Sequence, residues 1–353
     1  LLLPLYSIGQ YQFLQKGSDI DGSGPGDVIG VAVSMPDSNT IAIGAKDQFG
    51  RLQSAGLVRV YRWDGSSWQQ KGNDINGESD NDESGVSVSM PDSNTVAIGA
   101  HRNNGNGYGA GHVRIFSWDG GSWQQKGNDI DGEAPSNESG YSVSMPDSNT
   151  VAIGAPYNNF VGSNAGHVRV FRWNGNSWQQ KGSDLDGVSA NDRSGWSVYM
   201  PDSSTVAIGS IGGNGGTGEV RVFSWDGNSW QQKGNDIHGE AVADGSGHSV
   251  SMPDLNTIAI GAPDNDGNGI GAGHVRVFRW NGNSWRQKGN DIDGENIFDH
   301  SGSSVSMPDS NTVAIGARQN DGNGTNSGHT RVFKWNGSSW QQLGSDIDGE
   351  APD

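Results

Sequence analysis

Three copies of one acidic pattern stand out: Asp129-x-Asp131-x-Glu133, Asp291-x-Asp293-x-Glu295 and Asp346-x-Asp348-x-Glu350. A turn can aim alternate carboxylates inward, and oxygen donors at positions 1, 3 and 5 suit Ca2+. Related segments carry Asn76 or His238 at the middle position, and no Gly follows at position 6, so these are not EF-hand loops. The nine carboxylates are candidate Ca2+ ligands. The alternative is a set of solvated acidic turns that keep a Gly-rich chain soluble. A second polar set comes from Asn265-Asp266-Gly267-Asn268-Gly269 and Asn320-Asp321-Gly322-Asn323-Gly324. Asp266, Asn268, Asp321 and Asn323 are candidate ligand contacts, although Asn, Asp and Gly also suit plain turns because they tolerate positive φ.

His112, His167, His274 and His329 recur at one position in separate repeats. Spread in this way they cannot share one metal among themselves, and structural hydrogen bonding is the expectation. Asp299-His300-Ser301 has a triad's composition, but neighbours along a strand point to opposite sides. Ser117-Trp118-Asp119-Gly120-Gly121-Ser122-Trp123 approaches the sialidase Asp-box, with its Trp one residue early. Catalytic propellers place unique residues in the channel, whereas most informative residues here are repeated. The expectation is therefore a non-enzyme. Trp pairs such as Trp118/Trp123 and Trp173/Trp178 read as cross-strand packing rather than a sugar platform. Trp196 stands alone at the repeat position of Val86 and Tyr141, which makes it a candidate ligand contact near a central channel.

The elements that must position these residues are set by a repeat. A Met-Pro step recurs at Met35, Met90, Met145, Met200, Met252 and Met307, mostly 55 residues apart. Each copy reads as four short strands. In the third these are strand a (Ser142 to Met145), strand b (Thr150 to Ala155), strand c (His167 to Trp173) and strand d (Trp178 to Gly182). Pro146-Asp147-Ser148-Asn149 and Asn174-Gly175-Asn176-Ser177 supply the turns. Four-stranded antiparallel units at this period define an all-β β-propeller. The sequence divides into an N-terminal half-blade hairpin, strands c and d, over 1–23 and six blade repeats over 24–353, together one domain. The seventh strand-d copy, Phe13 to Gly22, leaves a six- or seven-bladed ring open.

The 353 residues include 57 Gly and no Cys, with a net charge of −18. Such a charge opposes phosphate-backbone binding, so nucleic acid is not an expected partner. No apolar run reaches membrane-spanning length, so no membrane insertion is expected. Leu1-Leu2-Leu3-Pro4-Leu5 is too short to assign as the end of a signal segment. Most acidic residues fall in the d–a segments and b–c loops, which emerge on one face of a propeller.

The pairs Ser139-Gly140 with Gly154-Ala155-Pro156 and Ser246-Gly247 with Gly261-Ala262-Pro263, together with Gly166-His167-Val168-Arg169-Val170-Phe171, resemble FG-GAP repeats of integrin-α-like propellers. Ser replaces the family's Phe, and the tight Pro-Asp-Ser-Asn turn replaces its a–b calcium loop, so those calcium residues do not carry over. The resemblance implies a secreted, extracellular adhesion or recognition protein that binds a glycan or protein ligand. The alternatives are a self-associating structural subunit of a coat or filament and, third, a polysaccharide-active enzyme.

Overall fold

The computed structural model describes residues 12–22, 27–47 and 55–350. Six antiparallel sheets follow one another, each with strands in the order a-b-c-d. In blade 3, strand a is Ser142–Asp147, strand b is Thr150–Ala155 and strand c is His167–Trp173. Strand d comes in two pieces, Trp178–Gln180 and Leu185–Asp186, which pair with the end and the start of strand c. The other blades span 27–76, 87–131, 194–238, 249–293 and 301–348. The expected β-propeller is observed, with six blades among the described residues. The expected strand c around Leu2 to Tyr6 lies outside the described residues.

Strand b is buried along its whole length because a blade covers each of its faces. Val151 and Ile153 pack towards blade 2 with Val143, Met145 and Phe171, whereas Ala152 packs towards blade 4. Bulky side chains thus fill one seam and small ones admit the next blade. Gly154 takes this furthest: a Cβ there would sit 2.2 Å from the Gly195 carbonyl oxygen of blade 4. Ser142 Oγ donates to that same carbonyl at 2.8 Å. The Ser-Gly and Ile-Gly-Ala segments are therefore the two sides of one blade-to-blade contact, which recurs between Gly99 and Gly140 and between Gly261 and Gly302.

The c–d turn forms where the sequence predicts, but the a–b turn falls later, on Ser148 and Asn149, because Pro146 and Asp147 stay in strand a and Asp147 pairs with Thr150. Asp147 Oδ1 accepts the Asn149 amide at 2.8 Å, and Asn174 Oδ1 accepts the Asn176 amide at 2.9 Å.

The Trp pairs serve the seams. Trp173 and Trp178 lie 5.4 Å apart, and Trp178 Nε1 donates to the Lys126 carbonyl of blade 2 at 2.8 Å. Lys126 Nζ reaches over both rings, 5.4 Å from each centroid, and donates to Asn149 Oδ1 at 2.8 Å. One lysine thus ties a blade to the next blade's a–b turn and Trp pair.

Lys16 does the same for blade 1, donating to Asn39 Oδ1 at 2.8 Å, and its carbonyl accepts Trp68 Nε1. Residues 12–22 therefore occupy the strand-d place of a blade preceding blade 1. Leu343 stands at the lysine position in blade 6.

Among the described residues, strand a of blades 2 to 6 packs on strand a of the blade before, but no comparable packing joins blade 6 to blade 1. The two end faces show it. Val33 is 60% and Met35 53% exposed on blade 1, whereas the equivalent Met145 is 5% exposed. On blade 6, Ile347 is exposed where the equivalent Ile130 is buried.

Candidate functional site

The b–c loops and d–a segments share one face and are latched together. Asn103 Nδ2 donates to Asp82 Oδ2 at 2.9 Å, and Asn106 Nδ2 donates to the Gly132 carbonyl at 2.8 Å. The four candidate loop residues belong to this scaffold. Asn268 donates to the Gly294 carbonyl and Asn323 to that of Gly349. Asp266 Oδ1 accepts the Gly271 amide, and Asp321 Oδ1 accepts that of Asn326. All four are exposed, but these polar groups shape the loops that carry them.

A different set departs from the repeat. Strand a is innermost, and the residue four places before its Met is Val86, Tyr141, Trp196, His248 or Ser303 in blades 2 to 6. The structure joins these residues into a band across blades. Tyr141 and Trp196 have centroids 4.8 Å apart, and Trp196 and His248 are 5.9 Å apart. Tyr157 lies 6.4 Å from Tyr141, and the Arg193 guanidinium sits 5.8 Å from Tyr157 and 6.0 Å from Trp196. Tyr141, Tyr157, Trp196 and His248 are all half-buried, so part of each ring remains open. Burial raises the Tyr141 phenol and the Glu138 carboxyl and lowers the His248 imidazole, so each favours its neutral form.

Beside the band, Asp80, Arg102, Tyr108 and Glu138 line a cavity of about 500 Å3. Elsewhere on this face the loops expose Phe160, Ile270 and Phe298, and Tyr108 of the cavity itself is exposed. Sequence reasoning found Trp196 but not its partners. The signal available was the disagreement among repeats at this one register position.

The band also contains an acid–base pair, His300 Nδ1 with Asp264 Oδ1 at 3.0 Å. The nearby Ser303 hydroxyl donates to the His300 carbonyl at 2.6 Å, not to the imidazole.

The acidic triplets do not each close around one point, because the pattern is not a loop. Ile130–Asp131 is the second piece of strand d, with Asp131 opposite His112. Asp129 Oδ2 lies 3.7 Å from His112 of its own blade, whereas Glu133 Oε2 lies 3.8 Å from His167 of the next. Asp131 is exposed, and its backbone carbonyl accepts Arg169 at 2.6 Å. Likewise Asp291 faces His274, Glu295 faces His329 and Asp346 faces His329. Asp293 and Asp348 are exposed, and burial by its surroundings still raises the Asp293 carboxyl. Glu350 is exposed at the last blade, where its backbone carbonyl accepts Asn323. The carboxylates that converge thus come from two blades and meet a histidine that the sequence reading left to hydrogen bonding.

Fold and mouth together define the class: a β-propeller whose blade-specific residues gather on one face. No protein-family model matches the chain, and no curated protein does. Solved structures do match. One is a Bacteroides fragilis protein provisionally assigned as a 6-phosphogluconolactonase, 10% identical, covering 92% of this chain and 85% of its own, at a TM-score of 0.57. Sqt1 from Chaetomium thermophilum is 16% identical over 92% of this chain and 72% of its own, at 0.54. A prolyl endopeptidase structure is 10% identical over 90% of this chain, at 0.53, and the match spans only 41% of that enzyme. At these identities the likeness shows the fold alone.

Proposed function

We infer that this is a non-enzymatic recognition propeller that holds a neutral glycan at the aromatic mouth of its acidic face. The observation that carries the reading is the half-buried band Tyr141–Trp196–His248, formed at the position four residues before the strand-a Met, where blades 2 to 6 each carry a different residue. Open indole and phenol faces beside carboxylates and amides offer a sugar both a stacking surface and hydroxyl acceptors. The net charge of −18 disfavours polyanions. Binding rather than turnover is favoured because the Ser303 hydroxyl beside the His300–Asp264 pair is committed to a backbone carbonyl. Like the integrin-α-type repeats that its sequence resembles, such a protein would act outside the cell.

The test is calorimetry against a panel of neutral oligosaccharides, with Trp196→Ala and Tyr141→Ala as variants and product analysis of the same mixtures. The expected result is binding that falls at least tenfold in each variant, with the sugar recovered intact. Sugar binding that survives both substitutions, or cleavage of the sugar, would overturn the reading.

The two uncovered end faces favour a second reading, association between copies. Blade 1 exposes Val33 and Met35, and blade 6 exposes Ile347. Because residues 12–22 already hold the strand-d place on blade 1, an incoming blade must bring only three strands or displace that segment. Sedimentation velocity over a hundredfold concentration range decides: a strict monomer removes this reading.

A further inference from the structure

Four blades build the same seam cluster outside the mouth. In blade 3, His167 Nδ1 lies 3.5 Å from Asp184 Oδ2 of its own blade and 3.8 Å from Glu133 Oε2 of blade 2. In blade 2, His112 has Asp129 at 3.7 Å and Glu78 at 4.0 Å. In blade 5, His274 has Asp291 at 3.8 Å and Glu240 at 4.0 Å. In blade 6, His329 has Asp346 at 3.7 Å and Glu295 at 3.9 Å. These separations lie at or beyond the limit of a hydrogen bond. The histidines are buried; Nδ1 of His167 and of His329 has no hydrogen-bond partner, whereas in His112 and His274 the unpartnered nitrogen is Nε2. A buried imidazole nitrogen left unpaired between two carboxylates is costly unless something occupies the gap.

The outer oxygens of the same carboxylates are already held. Gln180 Nε2 donates to Asp184 Oδ1 at 2.6 Å, as Gln125 does to Asp129, Gln287 to Asp291 and Gln342 to Asp346. On the Glu side, Arg169 lies 3.7 Å from Glu133 Oε1, and Arg114, Arg276 and Arg331 repeat this on Glu78, Glu240 and Glu295. Each Asp therefore presents one oriented, otherwise unused oxygen to the histidine, while each Glu is paired electrostatically with Arg through its other oxygen. Orienting one oxygen through an outer hydrogen bond is how metal-binding carboxylates are prepared.

We propose that these four seams are divalent transition-metal sites, each made of one imidazole nitrogen and two carboxylate oxygens drawn from two consecutive blades. Metal–ligand bonds of about 2.0–2.2 Å put tetrahedral ligands roughly 3.3–3.6 Å apart, so the histidine-to-carboxylate distances of 3.5–4.0 Å, in donor sets whose atoms all lie within 4.8 Å of one another, must contract on binding. The nitrogen donor and the small ligand count select Zn2+, Co2+ or Ni2+ over Ca2+, which takes six to eight oxygens. The Glu residues are 40–45% exposed, which leaves a remaining position open to water. In blade 3, Asp186 Oδ1 at 4.0 Å from His167 adds a third carboxylate. Blade 1 carries Leu57 at the histidine position and forms no such cluster among the described residues, while blade 4 rearranges the set as Glu219, Asp236 and His238. A bound ion would staple each blade to the one before it.

The experiment is equilibrium dialysis of the full chain against Co2+, with metal counted by mass spectrometry and the visible absorption of Co2+ recorded. The expected result is about four ions per chain with tetrahedral-type absorption, displaced by Zn2+. Glu133→Gln and His167→Leu should each lose one ion, and the Leu is a residue that blade 1 already accommodates at that position. Glu350→Gln, whose carboxylate meets no described histidine, should keep all four. Fewer than one ion per chain, or a count unchanged by both Glu133→Gln and His167→Leu, would overturn the proposal. So would binding of Ca2+ in place of Co2+ that depends on Glu350.

Discussion

Gly154→Ala tests whether blade spacing is set by the Gly-to-Gly seam. The new methyl carbon would lie 2.2 Å from the Gly195 carbonyl oxygen and 2.3 Å from Ser142 Oγ, where ordinary contact begins near 3.4 Å. Neither neighbour can rotate away, since one is backbone of the next blade and the other is hydrogen-bonded to it. Relief requires the seam between blades 3 and 4 to open by about 1 Å, which forfeits roughly a quarter to a half of each dispersion contact across it. Those contacts include Val168, Val170, Val206 and Ile208. Overpacking of this kind costs about 3 kcal/mol at the upper end of its usual range. The entropy that Ala removes from the unfolded chain returns less than about 1 kcal/mol. Gly121→Ala is the control, because its Cβ would meet only Asp119 Oδ1 at 3.7 Å. In urea unfolding, Gly154→Ala should lose about 2–3 kcal/mol, close to 1 M in midpoint for a large m-value. Gly121→Ala should stay within about 0.5 kcal/mol of the parent. Equal stability of the two variants would refute the seam argument.

Two further outcomes follow from the seams. Lys126→Ala removes the tie to Asn149 and the cation over Trp173 and Trp178, so it should cost about 1 kcal/mol. Leu343→Lys, with no described Trp pair to cover, should change the urea midpoint little. Burial lowers His274 to about 4, with Arg276 adding to the effect. A histidine whose folded pKa lies below its unfolded value of about 6.5 stabilises the fold fully above pH 6.5, and that contribution shrinks as pH falls towards 4. In chelator-treated protein about 2 kcal/mol should be gone at pH 5. His274→Leu should flatten this slope in urea unfolding between pH 7.5 and pH 5, and an unchanged slope would contradict the assignment.

The propeller was legible because its signals are local and repeated. Asn174-Gly175 and Pro146-Asp147 specify hairpins within a few residues, and strand b alternates Val and Ile with Ala and Gly in every copy. The break in strand d was less visible: Trp178 to Gly182 reads as one strand, and only the fit of Gly182 beneath Trp225 and Trp230 of the next blade explains the interruption. That break turned the acidic triplet from a supposed loop into a strand end, and so divided Asp129 from Glu133. Their pairing with His112 and His167 joins residues of different blades at a distance that no one-repeat reading contains. For the same reason Tyr141, Trp196 and His248 looked like unrelated exceptions until three blades were set side by side.

Repeated and unrepeated residues consequently answer to different demands. A residue present in nearly every copy, such as Gly154 or Trp178, meets the next or the previous blade, so its replacement should be read in stability. The position of Tyr141, Trp196 and His248 tolerates Val86 and Ser303 in other blades, so the seam does not depend on an aromatic there. Trp196→Val therefore installs a side chain that blade 2 already uses. It should cost less than about 1 kcal/mol beyond the lost stacking, which is itself worth about 0.5–1.5 kcal/mol, while removing the largest ring from the mouth. Measured together, unfolding midpoint and sugar affinity separate the two roles. A variant that folds near normally and binds at least tenfold more weakly supports recognition at the mouth. One that unfolds readily would make Trp196 a packing residue that happens to vary, and would move the search for a ligand to the exposed loop tips around Tyr108, Phe160 and Ile270.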